Sequence, residues 1–180
     1  MPADKIEIRR TMKRLEREFL SAGRDVAETE AIWKKVEESE AFRKAATVLI
    51  YMAIDGEVPT ESFIGKWNGV KRFVIPRVCG EELALYEYDP AHLIPGYKGI
   101  SEPAEDAVEV QPESIDLALV PGIAFTKEGG RLGRGKGFYD RLIPRLNCPC
   151  AGIGFSFRWI ESLPLDNWDA KLSTDLSVNP

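Results

Sequence analysis

The run Gly129-Gly130-Arg131-Leu132-Gly133-Arg134-Gly135-Lys136-Gly137-Phe138-Tyr139-Asp140-Arg141 constrains this chain more than any other stretch. Five glycines fall within nine residues, with Arg131, Arg134 and Lys136 set among them. Glycine permits positive φ and close backbone approach, so successive N–H groups can converge on one anion. Arginine and lysine add charge-assisted donors. A helix beginning after the loop would add free N–H groups, and Asp140 could hold a divalent cation shared with phosphates. Gly130-x-x-x-x-Gly135-Lys136 matches the first seven positions of a P-loop, but the eighth is Gly137, where Ser or Thr should bind magnesium. The even spacing of Gly133, Gly135 and Gly137 does not fit the dinucleotide fingerprint either. Three readings stay open on pattern alone: a phosphate-ligand loop, a solvated Gly-rich hairpin, or a nucleic-acid contact.

Composition narrows the third. A net charge of -5 over 180 residues gives no bulk attraction to nucleic acid or an anionic membrane. No partner of either kind is expected, and the basic run is a local positive focus on an acidic chain. With 44% hydrophobic and 29% charged residues, one globular domain over 1–180 is expected, as a monomer. Met1 to Phe19 is charged and periodic without an apolar leader, and no window approaches a membrane span. Cys79, Cys148 and Cys150 are few and odd in number, which fits a reducing cytoplasm rather than a disulfide scaffold. The one histidine, His92, is far from them in sequence, so no structural zinc site is expected.

Along the chain, Ile8, Met12, Leu15 and Phe19 form one apolar stripe of a helix over 4–20, with Lys5, Arg9, Lys13 and Glu16 on another face. Lys5 and Arg9 lie one turn apart and could grip one anion together. Further helices are expected over 25–37 and after Ser39, completing a helical segment over 4–45. Thr47 to Met52 reads as a central strand opening a sheet core over 47–178. The loop after it carries Glu57, beyond the strand's C-terminal edge where open α/β sheets place ligands, and leads to a helix over 60–67. Phe73 to Ile75 is expected to be a short strand stopped by Pro76. Strands follow at 82–88, 115–120 and 149–155, a helix at 138–146, and a final strand near 172–178. The proline- and glycine-rich stretch 90–112 reads as a binding wall or lid. Alternating strands and helices imply an α/β domain in three layers.

Val120-Pro121-Gly122-Ile123-Ala124-Phe125, followed by the run through Asp140, resembles the signature of the 5-formyltetrahydrofolate cyclo-ligase (methenyltetrahydrofolate synthetase) family. Glu57-Val58-x-Thr60, Ile75-Pro76-Arg77-Val78, Gly99-Ile100-x-Glu102-Pro103 and Pro164-x-x-x-x-Asp169 follow the family's order, so the resemblance runs nearly end to end. It implies an α/β fold with an open, largely parallel or mixed central sheet, and a cytoplasmic ligase that turns 5-formyltetrahydrofolate and ATP into 5,10-methenyltetrahydrofolate, ADP and phosphate, with Mg2+. It implies ATP contacts at Lys5, Arg9, Arg131, Leu132, Gly133, Arg134, Gly135, Lys136, Gly137, Phe138 and Tyr139, with Arg134 and Lys136 countering charge in catalysis. Folate contacts are implied at Met52, Glu57, Arg134, Gly135, Lys136, Gly137 and Phe138, and metal ligation at Asp140 and Asp169. Two positions depart from the family's usual pattern: Trp168 stands where a small polar residue or histidine is usual, and Arg158 where glutamine is common. A second reading is a non-catalytic, regulatory paralogue that binds folate or nucleotide.

Overall fold

The computed structural model describes residues 4–96 and 99–174. The chain begins with helix α1, Lys5–Ser21, capped by the Asp4 carboxylate, which accepts from the Ile6 and Glu7 amides. Ile8, Met12 and Phe19 of the expected stripe are buried and Leu15 is half-buried. Helices α2 (Asp25–Glu38) and α3 (Glu40–Lys44) follow. Ser39 joins them, its hydroxyl accepting from the Phe42 amide at 3.2 Å.

Strand β1 (Thr47–Leu49) is the centre of a five-stranded sheet, between β2 (Arg72–Cys79) and β6 (Leu117–Pro121). Helix α4 (Glu61–Trp67) crosses from β1 to β2. The edges are β3 (Glu82–Glu87), antiparallel to β2, and β9 (Cys150–Ile153), parallel to β6. The order is therefore β3-β2-β1-β6-β9, parallel but for β3. The Asp116 carboxylate fixes the start of β1 by accepting from the Ala46 and Thr47 amides at 2.9 and 2.7 Å.

Alternation along the strands makes two apolar faces. Val48, Phe73, Ile75, Leu117, Leu119 and Ala151 pack with α2, α3, α4 and Phe19 of α1. Leu49, Val74, Ala118, Val120 and Cys150 pack with Leu142, Ile143 and Leu146 on the other side. The expected three layers result, with a mixed sheet in the middle.

Several boundaries differ from the sequence expectation. β1 ends at Leu49, not Met52. β2 runs through Pro76 to Cys79. The Tyr88 amide donates to Phe73 on the β3 side, and the Ile50 amide donates to Val74 on the β1 side. By alternation the Pro76 nitrogen also faces the β1 side, where β1 has already ended, so no ladder bond is lost. The helix expected over 138–146 is α5 (Phe138–Leu142) and then a 3₁₀ turn, Ile143–Arg145, at Pro144. Residues 172–174 form no strand; the rest of the expected last strand lies outside the described residues. Within 90–112 the chain builds a small hairpin, β4 (Leu93–Pro95) with β5 (Ser101–Pro103). Arg77 anchors it by donating to the carbonyls of Pro103 and Ala104.

A second hairpin, β7 (Ala124–Phe125) with β8 (Arg131–Leu132), carries the glycine run out of the sheet. The tail returns over it: the Leu172 amide donates to Gly129 at 2.8 Å, and the Ser173 amide to Cys150 at 2.9 Å. Gly129 is required there, since a Cβ would stand 2.4 Å from the Leu172 carbonyl oxygen.

Candidate active site

From β1 the chain crosses to β2 on one side and later returns to β6 on the other. The carboxyl ends of β1 and β6 therefore flank the switch point where open α/β sheets bind ligands. A cavity of about 350 Å³ opens there. Tyr51, Met52 and Glu57 line it from the β1 side, and Pro121 and Gly122 from β6. Pro76 and Val78 of β2 and Leu83 of β3 form an apolar flank, and Ile100 and Glu102 of the 93–103 hairpin close one wall. The remaining wall is the glycine run: Arg131, Gly133, Arg134, Lys136, Gly137, Phe138, Tyr139 and Asp140.

The run divides into three parts. Gly129 and Gly130 belong to the hairpin turn, Arg131 and Leu132 to β8, and 133–137 form the loop proper. Gly135 (φ +96°) and Gly137 (φ +68°) hold the left-handed conformations that let this loop double back before α5. Arg9 reaches across from α1, its Nε donating to the Gly133 carbonyl at 3.0 Å. The α1 cation is thus brought to the loop although 124 positions separate them. Lys136 is exposed and makes no side-chain hydrogen bond or ion pair among the described residues. Leu132 points the other way, buried with Ile8 and Met12, so only its backbone faces the loop.

Glu57 sits opposite. Its Oε2 accepts from the Ile54 amide at 3.2 Å, and its Oε1 from an Arg134 Nη at 3.2 Å. Its side chain is 10% exposed. Burial pushes the carboxyl above its ordinary pKa; Arg134, the Ile54 amide and Arg158 pull it back only in part. The phenols of Tyr51 and Tyr139 are pushed up by burial and by the Glu57 charge, so both keep their protons at neutral pH.

The two aspartates expected to hold metal are each paired with a cation of the chain. Asp140 Oδ1 accepts from an Arg131 Nη at 3.0 Å and from the Ala170 amide at 3.3 Å. Asp169 Oδ2 accepts from Lys5 Nζ at 2.5 Å and from the Asp166 amide at 2.6 Å. Lys5 also donates to Asp166 at 2.7 Å. Burial pulls the Lys5 ammonium down, but the two carboxylates outweigh it and raise its pKa. Arg131 is buried against Tyr139, with its guanidinium 5.4 Å from the ring centroid and its Nε without a partner. It acts as an internal strut beneath the loop rather than an exposed cation. The Ala170 bond brings the tail carrying Asp169 against Asp140. Among the described residues, Oδ2 of Asp140 and Oδ1 of Asp169 carry no hydrogen bond, and no group of three or more His, Cys, Asp or Glu side chains converges on a metal site. Two carboxylates with a free oxygen each fit magnesium, which keeps several waters and completes its shell with substrate phosphates.

Sequence reasoning missed three contributors. Asp166, partner of Lys5, lies in the tail spacing but carried no separate signal. Tyr51 was read only as part of an apolar strand. Glu16 was assigned to a polar face, yet its Oε2 accepts from buried Arg158 at 2.5 Å, joining α1 to the turn that follows β9.

Comparison with known proteins shows the family and the fold. The model of the 5-formyltetrahydrofolate cyclo-ligase family matches residues 2–176. The chain is 32% identical over 137 residues to the 5-formyltetrahydrofolate cyclo-ligase of Escherichia coli K12, covering 71% of this chain and 75% of that protein. It is 28% identical to a probable 5-formyltetrahydrofolate cyclo-ligase of Caenorhabditis elegans, covering 93% and 89%. The NMR structure of Aquifex aeolicus 5,10-methenyltetrahydrofolate synthetase superposes with a TM-score of 0.83 at 35% identity, covering 93% of this chain and 86% of that one. The Mycoplasma pneumoniae synthetase gives 0.76 at 26% identity, covering 94% and 96%. A family match over nearly the whole chain, on the same fold, with the glycine loop facing the switch-point cavity, makes this chain an enzyme of the 5-formyltetrahydrofolate cyclo-ligase family.

Proposed function

We propose that this chain converts 5-formyltetrahydrofolate and ATP into 5,10-methenyltetrahydrofolate, ADP and phosphate. The observation that carries the reading is the shared wall: loop 133–137 meets Arg9 of α1 on one side and lines the Glu57 cavity on the other. One loop can therefore touch a nucleotide and a second, largely apolar ligand at once.

The chemistry asks for that arrangement. A formamide oxygen is a poor leaving group, so it first attacks the γ-phosphorus of ATP and ADP departs. N10 of the folate then adds to the activated carbon. Loss of the N10 proton and cleavage of the C–O bond release phosphate and leave the methenyl bridge. No nucleophilic side chain is needed; positioning and charge compensation supply the rate. In our reading Arg134 and Lys136 face the charge developing on the transferred phosphoryl group, and the 133–137 amides cradle its oxygens. Arg9 and Lys5 hold the nucleotide from α1. Glu57, ionised, accepts from the N–H groups of the pterin, and Met52 and Phe138 cover its ring. Pro76, Val78 and Leu83 exclude water, which would otherwise hydrolyse the phosphorylated intermediate. Asp140 and Asp169 would hold Mg2+, which supplies charge neutralisation on the phosphates. The three free cysteines suit a reducing compartment, and we assign the enzyme to the cytoplasm on that ground.

The test mixes the protein with 5-formyltetrahydrofolate, ATP and magnesium and follows methenyltetrahydrofolate absorbance alongside ADP release. Equimolar product and ADP are expected. Folded protein that yields no product above a no-enzyme control refutes the proposal.

A further inference from the structure

Arg158 ends the short turn that follows β9, 2% exposed, in a position outside every role assigned above. Its guanidinium has three acceptors on three separate segments. One Nη donates to the Ile123 carbonyl at 3.0 Å, just beyond β6. The other donates to Glu16 Oε2 of α1 at 2.5 Å and to the Gly56 carbonyl at 2.7 Å. Phe157 packs against it, 4.8 Å from the guanidinium carbon to the ring centroid. These segments carry, in turn, the Pro121-Gly122 cavity wall, the helix of Lys5 and Arg9, and the residue that precedes Glu57.

The fit around the contact is close. Gly56 has φ +82°, and a Cβ there would stand 2.3 Å from the Glu16 carboxyl carbon. The loop therefore lies directly on the Glu16–Arg158 pair, with no room for another side chain. Within its own loop Glu57 is held by Ile54, its amide donating to the Ile54 carbonyl at 3.0 Å and its carboxylate accepting from the Ile54 amide. Arg134, its other partner, has a half-exposed side chain. Burial weakens the hold of Arg158 on its proton, and the adjacent Glu16 carboxylate offsets this only in part. A buried guanidinium whose donors are shared among three acceptors resists displacement, because moving any one leaves a buried charge underbonded.

We propose that Arg158 is a positioning residue for the folate side of the reaction: through the Gly56 carbonyl it sets where the Glu57 carboxylate stands in the cavity, and through Glu16 it ties that loop to α1. The inference rests on the folate reading of the Glu57 side. It bears on the folate side first, because its bond to the Gly56 carbonyl is next to Glu57, whereas it meets α1 at Glu16, about two turns beyond Arg9.

The test compares wild type with Arg158→Met, which fills similar space without charge or donors, and Glu16→Gln, which keeps the guanidinium but removes its carboxylate partner. For Arg158→Met the KM for 5-formyltetrahydrofolate is expected to rise about tenfold while that for ATP stays within about twofold. Amide exchange read without ligand should accelerate about tenfold at Ile54 and Glu57 relative to amides of β1 and β6. A general loss of stability would instead move sheet and loop amides together and raise both KM values. Glu16→Gln should shift in the same direction by about threefold, and it carries the test if Arg158→Met does not fold. Unchanged folate KM and unchanged exchange at Ile54 and Glu57 in a folded variant overturn the proposal. A wild-type protein without turnover refutes the assigned reaction instead, and the exchange comparison still decides the role of Arg158.

Discussion

Lys136 and Glu57 line one cavity and differ in burial and pairing. Lys136 is an exposed cation without a side-chain partner among the described residues, so its removal disturbs little of the fold. Lys136→Ala is expected to lower turnover by about a hundredfold or more, since it deletes charge compensation in the transition state. Its thermal melt should stay close to wild type, and a near-wild-type rate would remove the assigned role. Glu57 is a buried carboxylate whose pKa burial raises above the ordinary value. The folded state therefore binds this proton more tightly than the unfolded chain does. By linkage, the stability associated with the protonated form is lost as pH rises from the ordinary glutamate range through the raised value. Glu57→Gln removes that loss. Its melting temperature relative to wild type should climb across this pH window, while its folate KM rises about tenfold for lack of an anionic acceptor. Melts across the window check the sign: a difference that falls as pH rises contradicts it.

Helix α1 and the glycine loop meet at Arg9 and Gly133, and in the proposed reaction they would form the nucleotide side together. The helix is docked by Ile8, Met12 and Phe19 and begins at the Asp4 cap, one residue before Lys5. Fraying at that end therefore reaches Lys5 first and Arg9 one turn later. Asp4→Ala should cost about 1 kcal/mol of stability. It should also raise the KM for ATP more than that for folate; equal changes would argue against α1 as a nucleotide element. The loop's own shape depends on Gly135 and Gly137 at positive φ and on buried Arg131 beneath it. This accounts for the departure from a P-loop: a hydroxyl residue at 137 would need a left-handed backbone, and its Cβ would stand 2.7 Å from Arg141 Nη1. In the proposed reaction metal ligation would fall instead to carboxylates on neighbouring segments.

The sheet brings those segments together. Asp140 follows the loop and Asp169 lies in the returning tail, joined through the Ala170 amide and held by the Leu172 and Ser173 backbone bonds. Their present partners, Arg131 and Lys5, are the cations that a nucleotide's phosphates and its metal would re-pair. Chelator treatment is expected to abolish turnover, with recovery on adding magnesium. Asp169→Asn should raise the magnesium needed for half-maximal rate by about tenfold. Chelator-resistant turnover would remove metal from the reaction. No described helix is long and apolar enough to cross a membrane.

Local patterns were legible wherever one short segment carries its own cause. The α1 stripe, the buried Leu-Ala-Leu-Val strand and the glycine loop all follow from side-chain period or backbone freedom, and the ordered family motifs extended that to the class of reaction. Pro76 shows where local reasoning ends. It stops a strand only if the missing N–H faces a neighbour, and that depends on where β1 terminates. The charge pairing is the larger case. Lys5 and Asp169, Arg131 and Asp140, Glu16 and Arg158 each read in sequence as an isolated ion. Folding makes them partners across up to 164 positions, and Coulomb attraction in a buried site depends on distances that only the packed sheet, α1 and the returning tail establish.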